Sequence, residues 1–118
     1  MFKFEKLDVW QEAVVYADLT YGVTSRFPHQ EQYGLISQLT RAAVSVSGNI
    51  AEGSGRTSSV DFSRFVEIAY GSLMETVSHA SIARRRKYVT ETEFQTMYQH
   101  AEKIAKMLSG LRQTLRTP

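Results

Sequence analysis

Apolar residues recur every three to four positions in four segments of the chain, a spacing that places them on one face of an α-helix. The predicted stripes are Leu7, Trp10, Val14, Ala17 and Tyr21; Ile36, Leu39, Ala43, Val46 and Ile50; Phe62, Phe65, Ala69, Leu73, Thr76 and Ala80; and Phe94, Met97, Ala101, Ile104, Leu108, Leu111 and Leu115. No comparable alternation typical of strands accompanies them. The pattern therefore predicts an all-α protein.

The segments between the stripes contain residues that end or begin helices. Pro28 separates the first two stripes, and the run Gly53-Ser54-Gly55 separates the next pair. Ser58 and Asp61 are spaced as an N-terminal capping pair, and Thr90-Glu91-Thr92-Glu93 forms a fuller capping box before the last stripe. Helices of roughly 20 to 28 residues joined by short connections favour antiparallel neighbours. We therefore expect an antiparallel up-down-up-down four-helix bundle.

The first six residues lie outside the four stripes. Aromatic and charged residues alternate in Phe2-Lys3-Phe4-Glu5, which suggests an extended arm over residues 1–6 that lies against a surface. A chain of 118 residues with 42% hydrophobic content is long enough to bury a core of its own. We expect a single bundle domain over residues 1–118, with this arm at its N-terminus.

The composition excludes several classes of protein. The chain has no cysteine, so it can form neither a disulfide framework nor a thiolate metal site. Its N-terminal segment carries charges among its aromatic residues and lacks the apolar centre of a signal peptide. The uncharged stretch 42–51 is far shorter than the roughly 20 apolar residues that a membrane span requires. We expect a soluble cytoplasmic protein with no membrane partner.

The segment RAAVSVSGNIAEGSGR, residues 41–56, has features that resemble catalytic motifs. Gly48 and Gly53 have the spacing of a phosphate-binding loop, but neither the Lys-Ser/Thr pair nor the preceding strand is present. Gly53-Ser54-Gly55 lacks the flanking residues of a nucleophile elbow. Glu75 and His79 are four residues apart, whereas di-iron bundles use Glu-x-x-His. We therefore expect no enzyme activity, no metal and no cofactor.

Polar residues form a second stripe beside the apolar one on the second predicted helix, and the third helix offers a matching set. Small residues are interleaved with both sets, so the backbones of two helices could approach closely. We interpret these residues as structural or subunit-contact positions; a solvated polar face is the alternative. The set comprises Gln38, Arg41, Ser45, Asn49, Glu52, Arg64 and Glu75.

Positive charge is concentrated in the second half of the chain, although the formal net charge is only +2. The four consecutive cations of Arg84-Arg85-Arg86-Lys87 repel one another, which favours a partner that neutralises them. Only Tyr88 lies beside them as a stacking surface, so we expect weak, sequence-tolerant binding to an RNA or DNA backbone. The remaining candidate cations are Arg56, Lys103, Lys106, Arg112 and Arg116. The alternative is a structural or adaptor protein that binds another protein through exposed aromatic residues, namely Phe2, Phe4, Tyr70 and Tyr98.

Two long motifs resemble a known family. These are YGLISQLTRAAVSVSGNIAEGSGR (33–56) and DFSRFVEIAYGSLMETVSHASIARR (61–85), supported by KLDVWQEA and RFPHQEQYGL. They resemble the bacterial four-helix bundle proteins named for 23S ribosomal RNA intervening sequences. The resemblance implies a ring, a homopentamer, and kinship with the nucleic-acid-binding accessory variability determinant of diversity-generating retroelements. It also implies that Gln38, Arg41, Asn49, Glu52 and Glu75 are signature positions with structural or subunit-contact roles and not catalytic ones.

Overall fold

Four α-helices joined by short connections make up a computed structural model of the chain, which describes residues 1–117. The helices are α1 (Asp8–Thr24), α2 (Leu35–Ser54), α3 (Ser59–Arg85) and α4 (Glu91–Arg116). Two short 3-10 helices, Lys3–Lys6 and His29–Glu31, precede α1 and lie in the α1–α2 connection. Residues 1–117 contain no strand, and the prediction of an all-α four-helix bundle is confirmed.

Each helix packs against two neighbours in a rod of 47 × 22 × 22 Å. The backbones of α1 and α3 both lie close to those of α2 and α4 but not to each other, so these two helices occupy diagonally opposite corners. The short connections make successive helices antiparallel. Within residues 1–117, no helix has a stretch that is long and apolar enough to cross a membrane.

The core lies along the common axis of the four helices, and the predicted buried stripes of α2, α3 and α4 largely coincide with it. The stripe predicted for α1 is partly wrong, because Val14 and Tyr21 are 40% and 54% exposed. Tyr16 and Thr20 are fully buried instead. The Tyr16 hydroxyl lies 2.7 Å from the Thr76 hydroxyl, and the Thr20 hydroxyl donates to the Tyr16 carbonyl at 2.8 Å. These bonds offset the desolvation that would otherwise oppose burial of both polar groups.

The predicted caps form at the start of α3 and α4. The Asp61 N–H donates to the Ser58 hydroxyl at 3.1 Å. At α4, the Glu93 N–H donates to the Thr90 hydroxyl at 3.1 Å, while the Thr90 N–H donates to the Glu93 carboxylate at 2.9 Å. Each cap satisfies backbone donors that the first helical turn leaves free. The predicted lengths hold for α2, α3 and α4, whereas α1 has only 17 residues.

The N-terminal arm is compact, so the extended conformation expected for it is wrong. Lys3–Lys6 form a 3-10 helix, with the Phe2 N–H donating to the Glu5 carboxylate at 2.9 Å. Phe4 packs edge-on against Trp10 with ring centroids 4.9 Å apart. The arm therefore covers part of the bundle end through an aromatic contact that leaves Phe4 half-buried and Phe2 exposed.

Candidate interaction surfaces

The turn from α3 to α4 is built from the predicted basic cluster. The Lys87 N–H donates to the Arg84 carbonyl at 3.0 Å and the Tyr88 N–H to the Ala83 carbonyl at 2.9 Å. These are the two hydrogen bonds of a Schellman motif, which places the residue after the cap in the left-handed region. Lys87 has φ of 64°, a conformation that costs a non-glycine residue about 1–2 kcal/mol. The chain therefore has a lysine where glycine would be less strained.

Two of the four cations in this turn have partners within the chain. The Arg84 guanidinium lies 2.7 Å from the Glu91 carboxylate and stacks 4.4 Å from the centroid of Phe94. The Arg86 guanidinium lies 5.8 Å from the ring centroid of Tyr88. Arg85 and Lys87 are exposed and form no ion pair with any of residues 1–117. These two side chains are the available cations of the turn.

The other predicted cations do not join this cluster. Arg56 and Arg116 lie at the opposite end of the 47 Å rod, where they pair with Glu52 and Glu67. Also at that end, the Arg112 guanidinium is 5.9 Å from the Tyr70 ring centroid. Tyr70 is half-buried, so the prediction that its side chain is exposed is wrong. A single subunit therefore presents separate basic regions and not one continuous basic surface.

The middle of α4 carries the last two predicted cations. The Lys103 ammonium donates to the Glu12 carboxylate at 3.1 Å, and His100 Nε2 lies 3.0 Å from the same carboxylate. The Lys103 hydrogen bond is the largest influence on Glu12 and lowers the pKa of its carboxyl, with burial opposing it. Lys106 is exposed and forms no ion pair with residues 1–117. Lys103 therefore ties α4 to α1, whereas Lys106 faces solvent.

An open recess of about 340 Å³ between α2 and α3 contains part of the predicted polar set. Its lining residues are Ser37, Gln38, Arg41, Ala42, Ser45, Ser72 and Glu75. The Ser45 and Ser72 hydroxyls are 2.9 Å apart, and the Asn49 amide donates to the Ser45 carbonyl at 2.8 Å. The recess thus joins Gln38, Arg41 and Ser45 of α2 to Glu75 of α3. Ser37 also lines the recess but was not predicted, because an isolated serine on a helix carries no specific sequence signal.

The remaining members of the polar set lie outside the recess. Glu52 is 3.6 Å from Arg56, and Arg64 is 3.3 Å from Asp61 on its own helix. Both are therefore paired locally and not with each other across α2 and α3.

His79 and His100 are engaged as hydrogen-bonded side chains. His79 Nε2 lies 3.2 Å from the Glu75 carboxylate. The Nδ1 atoms of His79 and His100 are buried without a hydrogen-bond partner. Among residues 1–117, no group of three His, Cys, Asp or Glu side chains could hold a metal ion. The two isolated His–Glu pairs fit a role in holding side chains in place.

The fold is similar to that of a solved protein of unknown function from the S23 ribosomal protein family of Bacteroides thetaiotaomicron. The two superpose with a TM-score of 0.79 over 92% of this chain and 99% of that one, at 21% sequence identity, a likeness that shows the shared fold. No curated protein matches the chain. The model of the family described as 23S rRNA-intervening sequence protein matches residues 5–110, and the chain therefore belongs to that family.

Proposed function

We propose that the protein is a non-enzymatic homo-oligomer, a pentameric ring, that binds the phosphate backbone of RNA or DNA weakly and with little sequence preference. The observation that carries the proposal is Lys87, a lysine held at φ of 64° where glycine would be less strained. Strained residues often have roles outside the stability of the fold. Here the lysine supplies an unpaired charge beside that of Arg85 at an exposed helix end.

The surroundings of Tyr88 support contact with phosphates and not with bases. Its hydroxyl donates to the Glu31 carboxylate at 3.2 Å, and its ring lies 5.5 Å from that of Phe27. A half-buried ring held in this way offers little surface for stacking on a nucleobase. Ion pairs with phosphate carry no sequence information, so sequence-tolerant binding follows.

A ring strengthens such a surface by repeating it. Arg85 and Lys87 would neutralise at most two phosphates per subunit, and each neutralised phosphate contributes about 0.7 to 0.9 to the slope of log affinity against log salt. One subunit would therefore bind too weakly to retain a nucleic acid at moderate salt. Five copies of the turn on one end of a ring would place several pairs along the same backbone.

The test is a fluorescence anisotropy titration of labelled single-stranded RNA and duplex DNA at low and moderate salt. Lys87→Gly removes the charge and relieves the backbone strain, so a loss of affinity cannot arise from unfolding. We expect weaker binding and a smaller salt dependence for Lys87→Gly and for Arg85→Ala. Lys106→Ala is the matched control, because it removes an exposed cation from the middle of α4. Its affinity for the nucleic acid should stay closer to that of the wild type than the affinities of the two turn variants do.

Equal affinity of Lys87→Gly and the wild type at low salt would exclude the α3–α4 turn as the site. Absence of any wild-type signal at low salt would exclude nucleic-acid binding altogether. In that case the second candidate, a structural or adaptor ring that binds another protein, is favoured by the aromatic side chains of Phe2 and Tyr98, which are 73% and 41% exposed. Capture of one partner from the native host that is lost in Phe2→Ser or Tyr98→Ser would support it.

A further inference from the structure

The outward faces of α1 and α3 carry exposed apolar side chains at diagonally opposite corners of the bundle. Val15 and Tyr21 on α1 are 56% and 54% exposed, and Val60 and Ile68 on α3 are 60% and 51% exposed. The outward face of α4 is different, because its exposed side chains are mainly polar ones such as Gln99. Two different apolar faces on one subunit suit a head-to-tail contact, which forms a ring when the rotation from one copy to the next closes.

Glycines within these helices have no explanation inside the subunit. A Cβ atom added at Gly22 of α1, Gly48 of α2 or Gly71 of α3 would meet no atom within 4 Å. Glycine inside a helix is less favourable than alanine, so these positions lower the stability of the isolated bundle. Close approach of a second backbone from outside would account for them.

Opposite charges lie beside these faces. Asp18 is exposed and lines an open groove beside α1, on the side of α4, together with Gly22. Arg41 is exposed at the α2–α3 recess. Neither side chain forms an ion pair with residues 1–117. The acid of the recess, Glu75, is already 3.2 Å from His79, so Arg41 remains the available charge there.

The two charges also lie at the same height along the rod. The hydrogen bond of 2.7 Å between Tyr16 and Thr76 fixes the level of α1 relative to α3. Asp18 is two residues from Tyr16, or about 3 Å along the helix axis. Arg41 lines the recess together with Glu75, the neighbour of Thr76. Rotation about an axis parallel to the rod preserves height, so Asp18 of one copy and Arg41 of the next would lie at a similar level in a ring.

We propose that the subunits of the ring meet through the outward face of α1 in one copy and the α2–α3 recess of the next, with Asp18 paired to Arg41. The contact rests on the homo-oligomer in the proposed function and identifies the surface that forms it. Exposed apolar side chains such as Val15 of α1 and Ile68 of α3 become buried in this contact, and Gly71 allows the two backbones to approach closely. Val60 lies about 24 Å along the helix axis from Thr76, beyond the reach of α1, and stays outside the contact.

Charge reversal tests the pairing in the full-length protein. We expect Asp18→Arg and Arg41→Asp each to raise the protein concentration for half-assembly by about tenfold or more, because each places like charges opposite one another. The double variant Asp18→Arg/Arg41→Asp should recover assembly. Light scattering after size exclusion gives the mass, circular dichroism checks the helical content, and Glu102→Arg on α4 is the control.

A wild-type protein that is a monomer at every accessible concentration would overturn both the ring and this contact. A wild-type ring whose mass is unchanged in both single variants, or lost in them without recovery in the double variant, would overturn this contact alone.

A second pair of variants tests the close approach of the two backbones independently of the charge pair between Asp18 and Arg41. Gly71→Ala should raise the unfolding temperature of the isolated subunit while raising the concentration for half-assembly by about tenfold. Gly110→Ala in α4, where an added Cβ also meets no atom within 4 Å, should raise the unfolding temperature and leave assembly unchanged. Assembly of Gly71→Ala at wild-type concentrations would show that no backbone approaches this position.

Discussion

Gly53 of α2 packs directly against Phe62 and Phe65 of α3, and replacing this glycine by alanine tests how tightly the bundle end is packed. An added Cβ would lie 2.6 Å from the Phe65 Cβ and 2.9 Å from the Phe62 ring. Carbon atoms in contact are normally about 3.5–4.0 Å apart, so the helices would have to separate by roughly 1 Å. The Phe65 Cβ is attached directly to the α3 backbone, and Phe62 is buried, so neither can rotate away easily.

The expected effect combines two opposing contributions. Overpacking of a close contact costs about 1–3 kcal/mol. Alanine recovers up to about 1 kcal/mol through its helix preference, but less at Gly53, which lies in the last turn of α2. We therefore expect Gly53→Ala to lower the free energy of unfolding by about 1–2 kcal/mol, equivalent to a fall of about 4–8 °C in Tm.

Circular dichroism during urea and thermal unfolding measures the free energy of unfolding and Tm. The wild type and the variant are compared at equal protein concentration. Gly110→Ala is the matched control, because it has the same chemistry on an exposed face with no atom within 4 Å of the new Cβ. It should gain about 0.5–1 kcal/mol. A Gly53→Ala protein as stable as the wild type would show that α2 and α3 are not in this close contact.

Three further predictions concern polar groups. Tyr16→Phe removes the fully buried hydrogen bond to Thr76 and should lower the free energy of unfolding by about 1 kcal/mol in urea titrations; an unchanged value would argue against this bond. Lys87→Gly relieves left-handed strain and should raise stability by about 0.5–1 kcal/mol in the same assay; a destabilised protein would contradict the assigned conformation. Because Lys103 lowers the pKa of Glu12, the stabilisation from this pair is present above the ordinary value of 4.5 and is lost as pH falls through the lowered pKa. Stability measured against pH should therefore fall more steeply in acid for the wild type than for Glu12→Gln, and parallel curves would exclude the pair as a contributor.

The candidate surfaces could be predicted from the sequence only in part. Arg41 and Ser45 share a helix face because of their spacing, and the cluster around Lys87 is evident from composition. Their partners depend on how the helices pack: Ser72 reaches Ser45 only through the alignment of α2 with α3. The ion pair between Arg84 and Glu91 depends on the geometry of the turn between α3 and α4. Because Arg84 is paired in this way, fewer cations are free to bind a partner than the sequence predicts.

Periodicity and capping residues were sufficient to predict four helices, and the short connections between them predicted their antiparallel order, because these signals act between residues that are close in the sequence. They could not decide which side of α1 faces the core, since apolar residues occur around most of that helix. Tyr16 is buried and Tyr21 exposed because only Tyr16 meets Thr76, 60 residues away in the sequence. The burial of α1 is therefore determined by a contact between distant segments, which local patterns do not encode. The positive φ of Lys87 depends instead on the hydrogen bonds that close α3 before α4 begins, a backbone geometry that a row of four cations does not reveal.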